Sequence, residues 1–307
     1  MLDRQRQSTD TLQLDAATAA AKGNRDYQHD TVISGFAMGQ SSGFVIIAGG
    51  RGENDSGGIA SAITAAEFFC QIRMNDSALD VGLAKPGTIL RAAAAAANRR
   101  LADERERSDD LTGMASTVVA PIIRHNRLSW LSVGNAPMFL CRNGSLRQLN
   151  KDHSMATQID LMVKGGSMLP EVGRDHPDRN VLTSLLNGGE IAAIDCPQAP
   201  LALWPGDIII LGTDGLKRLD SSAILAILSE APDAGSDVIA RALLDALNND
   251  DQGNVALAVI RLTLPRTDPA PIEADDLPVL ASAEPDPPEP DPERQAYWYR
   301  GQKYYKD

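Results

Sequence analysis

Short apolar segments rich in β-branched residues alternate with two pairs of helices between residues 31 and 262, and this order constrains the fold more than any other feature. Strand signals fall at 31–37, 43–48, 116–123, 127–133, 138–141, 207–212 and 255–262. Helix signals fall at 59–73, 88–107, 221–229 and 236–248, with a further candidate around 179–186. Hairpin-connected strands with helix pairs inserted between them predict an α+β fold built in layers. No glycine-rich turn joins a strand to a helix as in nucleotide-binding folds, so that function has no support.

Both ends of the chain differ in composition from residues 22–264, which we predict to form one domain. Residues 1–21 are polar and Ala-rich and are expected to be a loosely docked leader. The stretch 267–293 has nine acidic residues, eight prolines and no basic residue, so we expect 265–293 to be a disordered linker.

The last segment, 294–307, is basic and aromatic instead. So many large apolar side chains favour burial against something, either a protein partner or the chain's own domain, and we predict a docking segment. Its candidate partner-binding residues are Tyr297, Trp298, Tyr299, Tyr304 and Tyr305.

The overall charge and the cysteine content exclude several classes of protein. A formal net charge of −12 argues against a nucleic-acid partner, since phosphate backbones require a basic face. No apolar run is long enough for a membrane helix, and the N-terminus lacks the apolar stretch of a secretory signal, so we expect no membrane insertion. The three cysteines are widely spaced, which favours reduced thiols and a cytoplasmic location over a zinc site.

Four sequence segments, in this order, resemble the motifs of one family. The first is RDYQHD at 25–30, and the second is MAST at 114–117 followed by a strand signal. The third is WLSVGNAPMFLCRNGSLRQLNKDHSM at 130–155, and the fourth is GD at 206–207 followed by LGTDGL at 211–216. Together they resemble bacterial type 2C (PPM) metal-dependent Ser/Thr protein phosphatases. The resemblance implies a four-layer α-β-β-α sandwich with two central antiparallel β-sheets.

The resemblance also implies a reaction and residues that carry it. In this family two Mg²⁺ or Mn²⁺ ions, held mainly by carboxylates, activate a water that attacks a phosphoserine or phosphothreonine. Carried over by position, Arg25 orients the phosphate and Asp30 binds the first ion, supported by the Gly50 carbonyl. Asp214 corresponds to a ligand of the second ion.

Several positions depart from the family pattern. Gly49 stands where the family has the aspartate that bridges both ions, and Gly253 stands where it has a further aspartate ligand. His29 and Asn135 replace two more acidic residues, while Arg51 adds a positive charge beside the site. Because each lost carboxylate removes charge that offsets two dications, we predict that Mg²⁺ or Mn²⁺ binding is weak or absent.

Three alternatives follow from these departures. The leading interpretation is a pseudophosphatase that regulates or scaffolds phosphosignalling by binding a phosphoprotein or a Ser/Thr kinase. The rival is an active phosphatase whose metal ligands have moved; the candidate substitutes are Glu53, Asp55, Asp250 and Asp251. A third is that the two glycines were introduced into an active sequence, although His29, Asn135 and Ala256 favour a naturally degenerate member.

Overall fold

A computed structural model describes residues 12–36, 41–248 and 253–265, together with the strand residues 296–299 and 302–305. The strands are β1 Gln13–Ala21, β2 Asp30–Phe36, β3 Gly43–Arg51, β4 Ala115–Arg124, β5 Arg127–Val133, β6 Met138–Arg142, β7 Ser145–Gln148, β8 Leu201–Ala202, β9 Ile208–Gly212, β10 Val255–Thr263, β11 Ala296–Tyr299 and β12 Gln302–Tyr305. The helices are α1 Ser56–Met74, α2 Asp76–Asp80, α3 Pro86–Arg107, α4 Met155–Lys164, α5 Pro170–Arg174, α6 Ser221–Glu230 and α7 Ser236–Asn248, with 3₁₀ turns at Asp109–Leu111 and Asp214–Arg218.

Two five-stranded sheets form the centre of the first compact unit, which ends at Pro265. One sheet has the order β1-β10-β9-β6-β7 and the other β2-β3-β4-β5-β8, and every pair of neighbouring strands is antiparallel. Tight antiparallel pairing follows from the sequence, because β3, β4 and β10 are rich in the β-branched residues that fit a pleated surface.

The buried residues divide into three clusters, and these show the four layers. On β3, Val45 and Ile47 point toward the other sheet, where they join Leu211 and Ala256 in the central cluster. The alternating residues Phe44, Ile46 and Ala48 belong instead to a cluster with α1 and α3. A third cluster lies between the β9–β10 side and helices α6 and α7. The order of layers is therefore helix, sheet, sheet, helix, as predicted.

The first correction concerns the N-terminus. Residues 13–21 are not a leader: they form β1, which pairs with β10 over its full length from Gln13–Thr263 to Ala21–Val255. Leu12 and Leu14 are buried in the central cluster. The Ala-rich composition of β1 gave no strand signal, since alanine favours helices, and pairing with a β-branched neighbour decided its conformation.

The second correction concerns residues 150–190. The helix predicted around 179–186 does not form; Leu186 instead exchanges two backbone hydrogen bonds with Ser116, both at 2.8 Å. The helices between residues 150 and 190 are α4 and α5, and both end before residue 179. The short elements α2, β7 and β8 were also not predicted. The other predicted helices and strands agree with the structure to within a few residues at their ends.

The second compact unit contains the segment 294–307, whose docking role stays a prediction. Within it β11 and β12 form an antiparallel hairpin in which Tyr297 is opposite Tyr304 and Trp298 is opposite Lys303. Of the predicted linker 265–293, only Pro265 belongs to the described residues. No helix in the described ranges combines the length and apolar character needed to cross a membrane.

Candidate functional site

A cavity of about 620 Å³ opens at one edge of the sandwich, where β2 begins, β3 ends and β10 begins. Eight residues singled out from the sequence line it together: Arg25, His29, Asp30, Gly49, Gly50, Arg51, Asp214 and Gly253. They come from segments up to 228 positions apart, so the fold unites residues that only the motif order had connected. The cavity is therefore the candidate functional site.

Asp30 is positioned in the site by strand pairing and by a hydrogen bond. It is the first residue of β2 and stands opposite Gly49 of β3. Its Oδ2 accepts a hydrogen bond of 2.7 Å from the hydroxyl of buried Thr213, which in turn accepts one from the Ala256 amide. Burial raises the pKa of Asp30 to about 6, and the nearby Asp214 carboxylate adds to that rise. The Thr213 hydrogen bond and the charges of His29 and Arg51 act in the opposite direction.

The two adjacent glycines of β3 have different environments. A Cβ at Gly49 would lie 3.5 Å from Asp30 Oδ1 and 2.9 Å from Thr117 Oγ1, so a side chain there would enter the site beside Asp30. A Cβ at Gly50 would lie 1.8 Å from the Gly57 carbonyl oxygen, and no side chain fits. Gly50 is thus required by the close approach of β3 to the start of α1, whereas a side chain at Gly49 requires only that the Thr117 side chain shift.

Asp214 is already paired with a cation. It opens the 3₁₀ turn after β9, and its Oδ2 accepts a hydrogen bond of 3.0 Å from Nη2 of Arg51, the last residue of β3. Both side chains are about half exposed, at 48% and 45%. The guanidinium therefore occupies one side of a carboxylate that corresponds, by the resemblance, to a metal ligand.

Arg25 lies beside the second glycine of interest. A Cβ at Gly253 would be 3.2 Å from Arg25 Nε and 3.6 Å from Nη2. The guanidinium of Arg25 thus borders the space into which a side chain at this position would project. A carboxylate introduced there would meet an arginine first.

Asn254 was not predicted to have a role, although it directly follows Gly253. Its Oδ1 accepts a hydrogen bond of 2.7 Å from the His29 amide, and its Nδ2 donates to the carbonyls of Lys22 at 2.7 Å and Tyr27 at 3.0 Å. These three bonds fasten the segment that carries Arg25 to the start of β10. The sequence signal that could have found it was its position directly after Gly253.

His29 is a structural residue here. A ring nitrogen, Nε2, lies 2.6 Å from the Asn54 carbonyl oxygen, and the ring stacks against Tyr27. This contact joins the β2 side of the site to the loop between β3 and α1.

The proposed substitute ligands do not reach the cavity where the structure describes them. Glu53 and Asp55 are exposed in the loop before α1 and do not line the cavity. The third carboxylate of the described lining, besides Asp30 and Asp214, is that of Asp26. Asp250 and Asp251 lie outside the described residues.

Within the described ranges, the donor set at the cavity does not fit a centre of two divalent ions. Hard ions such as Mg²⁺ and Mn²⁺ are bound by several oxygen ligands, usually carboxylates and waters. Among the residues that the structure describes, no three His, Cys, Asp or Glu side chains are grouped so that they could hold a metal ion. Asp30 and Asp214 are the only described carboxylates left at family ligand positions, and the second is paired with Arg51.

Comparison with curated proteins finds bacterial phosphatases. The chain is 26% identical over 200 residues to a putative protein phosphatase 2C-type of Streptococcus pyogenes, covering 65% of this chain and 78% of that protein. It is 28% identical over 236 residues to the serine/threonine protein phosphatase PstP of Mycobacterium tuberculosis, covering 76% of this chain but only 42% of PstP. No family model matches the chain.

Comparison with solved structures gives the same fold. The crystal structure of the M. tuberculosis phosphatase PstP/Ppp superposes with a TM-score of 0.67 at 25% identity, over 82% of this chain and 100% of that one. The catalytic domain of PstP in complex with two manganese ions superposes with a TM-score of 0.66 at 24% identity. In its sequence, its fold and the order of its motifs, the chain is similar to bacterial type 2C (PPM) Ser/Thr protein phosphatases.

Proposed function

We propose that this type 2C-fold protein is catalytically impaired and acts as a regulator or scaffold in Ser/Thr phosphosignalling. One observation supports this above all others: Asp214 forms an ion pair with Arg51, while glycines occupy the positions of two other family carboxylates. A site that lacks these charges has little to offset two dications.

Metal binding is then weak at most. Asp30 and the Gly50 carbonyl would contribute to one Mg²⁺ or Mn²⁺ ion, and Asp214 would contribute only if Arg51 released it. Hydrolysis by a metal-bridged water requires more than this donor set supplies.

The partner is a protein, either a phosphoprotein or a Ser/Thr kinase. Arg25 opens onto the cavity, and a guanidinium recognises phosphate through its planar set of donors. The C-terminal hairpin, which includes Tyr297 and Tyr304, serves as an additional docking element because aromatic residues dominate protein interfaces.

A second candidate is an active Mg²⁺- or Mn²⁺-dependent Ser/Thr phosphatase. It is favoured by the relatives, which are named as phosphatases, and by the family residues Asp30, Gly50 and Asp214 in one cavity. In that case Asp250 or Asp251 would complete the donor set, since they precede cavity residue Gly253 by three and two positions.

Hydrolysis of a phosphothreonine peptide separates the two candidates. The full chain is incubated with the peptide and excess Mn²⁺, with M. tuberculosis PstP as the positive control and EDTA as the blank. We expect no phosphate release above the blank from this protein. Turnover comparable with that of PstP would establish the active phosphatase instead.

A further inference from the structure

We infer that Arg51 takes the place of the second metal ion as the resident cation of this site, so that the cavity binds a phosphate monoester without divalent metal. This inference rests on the proposed function. It adds the ligand of the cavity, a phosphate monoester, and the residue that replaces the metal, Arg51. The observation behind it is that Arg51 and Asp214 line the same cavity and are joined by a 3.0 Å ion pair.

The position of Arg51 is fixed by the sheet. It ends β3, a strand buried along most of its length, and its backbone pairs with Ala115 of β4. The backbone of Arg51 is therefore fixed, and its half-exposed side chain extends from it to Asp214. A fixed backbone lowers part of the entropy lost when such a group binds a ligand.

The charges of the lining balance without any bound ion. The described lining contains three arginines, Arg25, Arg51 and Arg218, and three aspartates, Asp26, Asp30 and Asp214. Two divalent ions would add four positive charges to a lining that is already neutral. The described lining thus carries no net negative charge that would favour divalent ions.

Arg51 can exchange Asp214 for a stronger anion. The Arg51–Asp214 pair is half exposed, and exposed ion pairs are weak, so breaking it costs little. A phosphate monoester carries up to two negative charges and accepts paired hydrogen bonds from a guanidinium. Arg25, which borders the empty side-chain position of Gly253, supplies a second guanidinium at the same cavity.

The alternative is that Arg51 and Asp214 form a surface ion pair with no role in ligand binding. It predicts that loss of Arg51 changes neither phosphate binding nor metal binding. The two accounts also differ for Asp214→Asn. A resident cation released from its partner should bind phosphate better, whereas a phosphate site that depends on metal should bind it worse after losing a metal ligand.

The test is titration calorimetry of inorganic phosphate and of a phosphothreonine peptide into the full chain in excess EDTA. Arg51→Met is compared with Arg100→Met, a control that removes an equally exposed arginine from an ion pair of 2.8 Å with Glu104 on α3. We expect the unaltered chain to bind both ligands, Arg51→Met to bind them about tenfold more weakly, and Arg100→Met to be unchanged. In the absence of EDTA, Arg51→Met should bind Mn²⁺ about tenfold more tightly, because Asp214 is free.

Asp214→Asn keeps the inference testable if Arg51→Met does not fold. It should bind phosphate in EDTA at least as tightly as the unaltered chain. Phosphate binding that requires Mn²⁺, or that is lost in Asp214→Asn, would overturn the inference. Those outcomes are distinct from the result that would contradict the proposed function. That result is hydrolysis of the phosphothreonine peptide, which is measured in a separate assay.

Discussion

At the scale of single residues, the site is defined by which charges remain and how they are partnered. The sequence identified Asp30, Gly50 and Asp214 as family residues and Gly49 and Gly253 as departures, and the structure brings all five to one cavity. The sequence alone could not reveal the partner of Asp214. Arg51 lies 163 positions away in the chain, and the family pattern assigns Arg51 no role. Pairing of side chains across a fold depends on backbone geometry, which motifs do not encode.

The raised pKa of Asp30 predicts a stability effect that depends on pH. Because the pKa in the folded state, about 6, lies above the ordinary value of 3.8, the folded state binds the proton more tightly than the unfolded state. The resulting stabilisation is complete below pH 3.8 and is lost as the pH rises through about 6. The asparagine of Asp30→Asn does not titrate. The change in unfolding free energy that this substitution causes in EDTA should therefore be up to about 3 kcal/mol more stabilising at pH 7.5 than at pH 3.5.

Urea unfolding at several pH values measures this difference. The comparison within each pH cancels the titration of the other groups. An Asp30→Asn variant whose stability relative to the unaltered chain is the same at both ends of the range would contradict the assignment.

Restoring the metal centre should take more than one substitution. Gly49→Asp and Gly253→Asp each supply one carboxylate, and the second would meet the Arg25 guanidinium. We therefore expect neither single variant to bind two Mn²⁺ ions, and the double variant to reach full occupancy only when Arg51→Met is added. Calorimetric stoichiometry measures this, and two ions bound by either single variant would refute the account.

At the scale of elements, the strands were the most predictable part. β3, β4, β9 and β10 follow directly from β-branched runs, because buried strands need apolar residues on both faces. β1 could not be predicted in this way, since its alanines favour a helix and only pairing with β10 makes them a strand. The same limit applies to 179–186, where contacts with distant residues replace the predicted helix.

Asn254 connects two elements and provides a prediction at this scale. Asn254→Ala removes the three hydrogen bonds that fasten the segment carrying Arg25 to β10. We expect faster amide exchange at residues 22–29 and weaker phosphate binding in EDTA, with a loss of about 1–3 kcal/mol of unfolding free energy.

A matched control separates position from general destabilisation. Asn98 likewise makes three hydrogen bonds to backbone groups, to Asn187, Gly188 and Gly189, far from the cavity in sequence. Asn98→Ala should lose similar stability while exchange at 22–29 stays unchanged. If both variants alter 22–29 equally, Asn254 has no specific role in holding that segment.

At the scale of the whole molecule, the chain divides into a phosphatase-fold unit and a C-terminal unit that contains the hairpin of β11 and β12. The abrupt change in composition near residue 264 led us to predict separate segments beyond it, but it did not indicate the hairpin. A short aromatic and basic segment has no periodicity strong enough to fix strand pairing.

Removal of the C-terminal segment should separate folding from association. We expect a chain ending at Pro265 to keep the unfolding midpoint of the full chain, because the core clusters lie within residues 12–262. Calorimetric scans of the two chains provide the comparison. A clearly lower midpoint for the shortened chain would show that the hairpin is part of the domain's structure and not a docking element.

Titration of Mn²⁺ into the full chain tests the central claim most directly, since that claim concerns the loss of the two-metal centre. With Asp214 paired to Arg51 and glycines at positions 49 and 253, the account predicts at most one ion bound, with millimolar affinity or weaker. Two ions bound with micromolar affinity to the unaltered chain would contradict it.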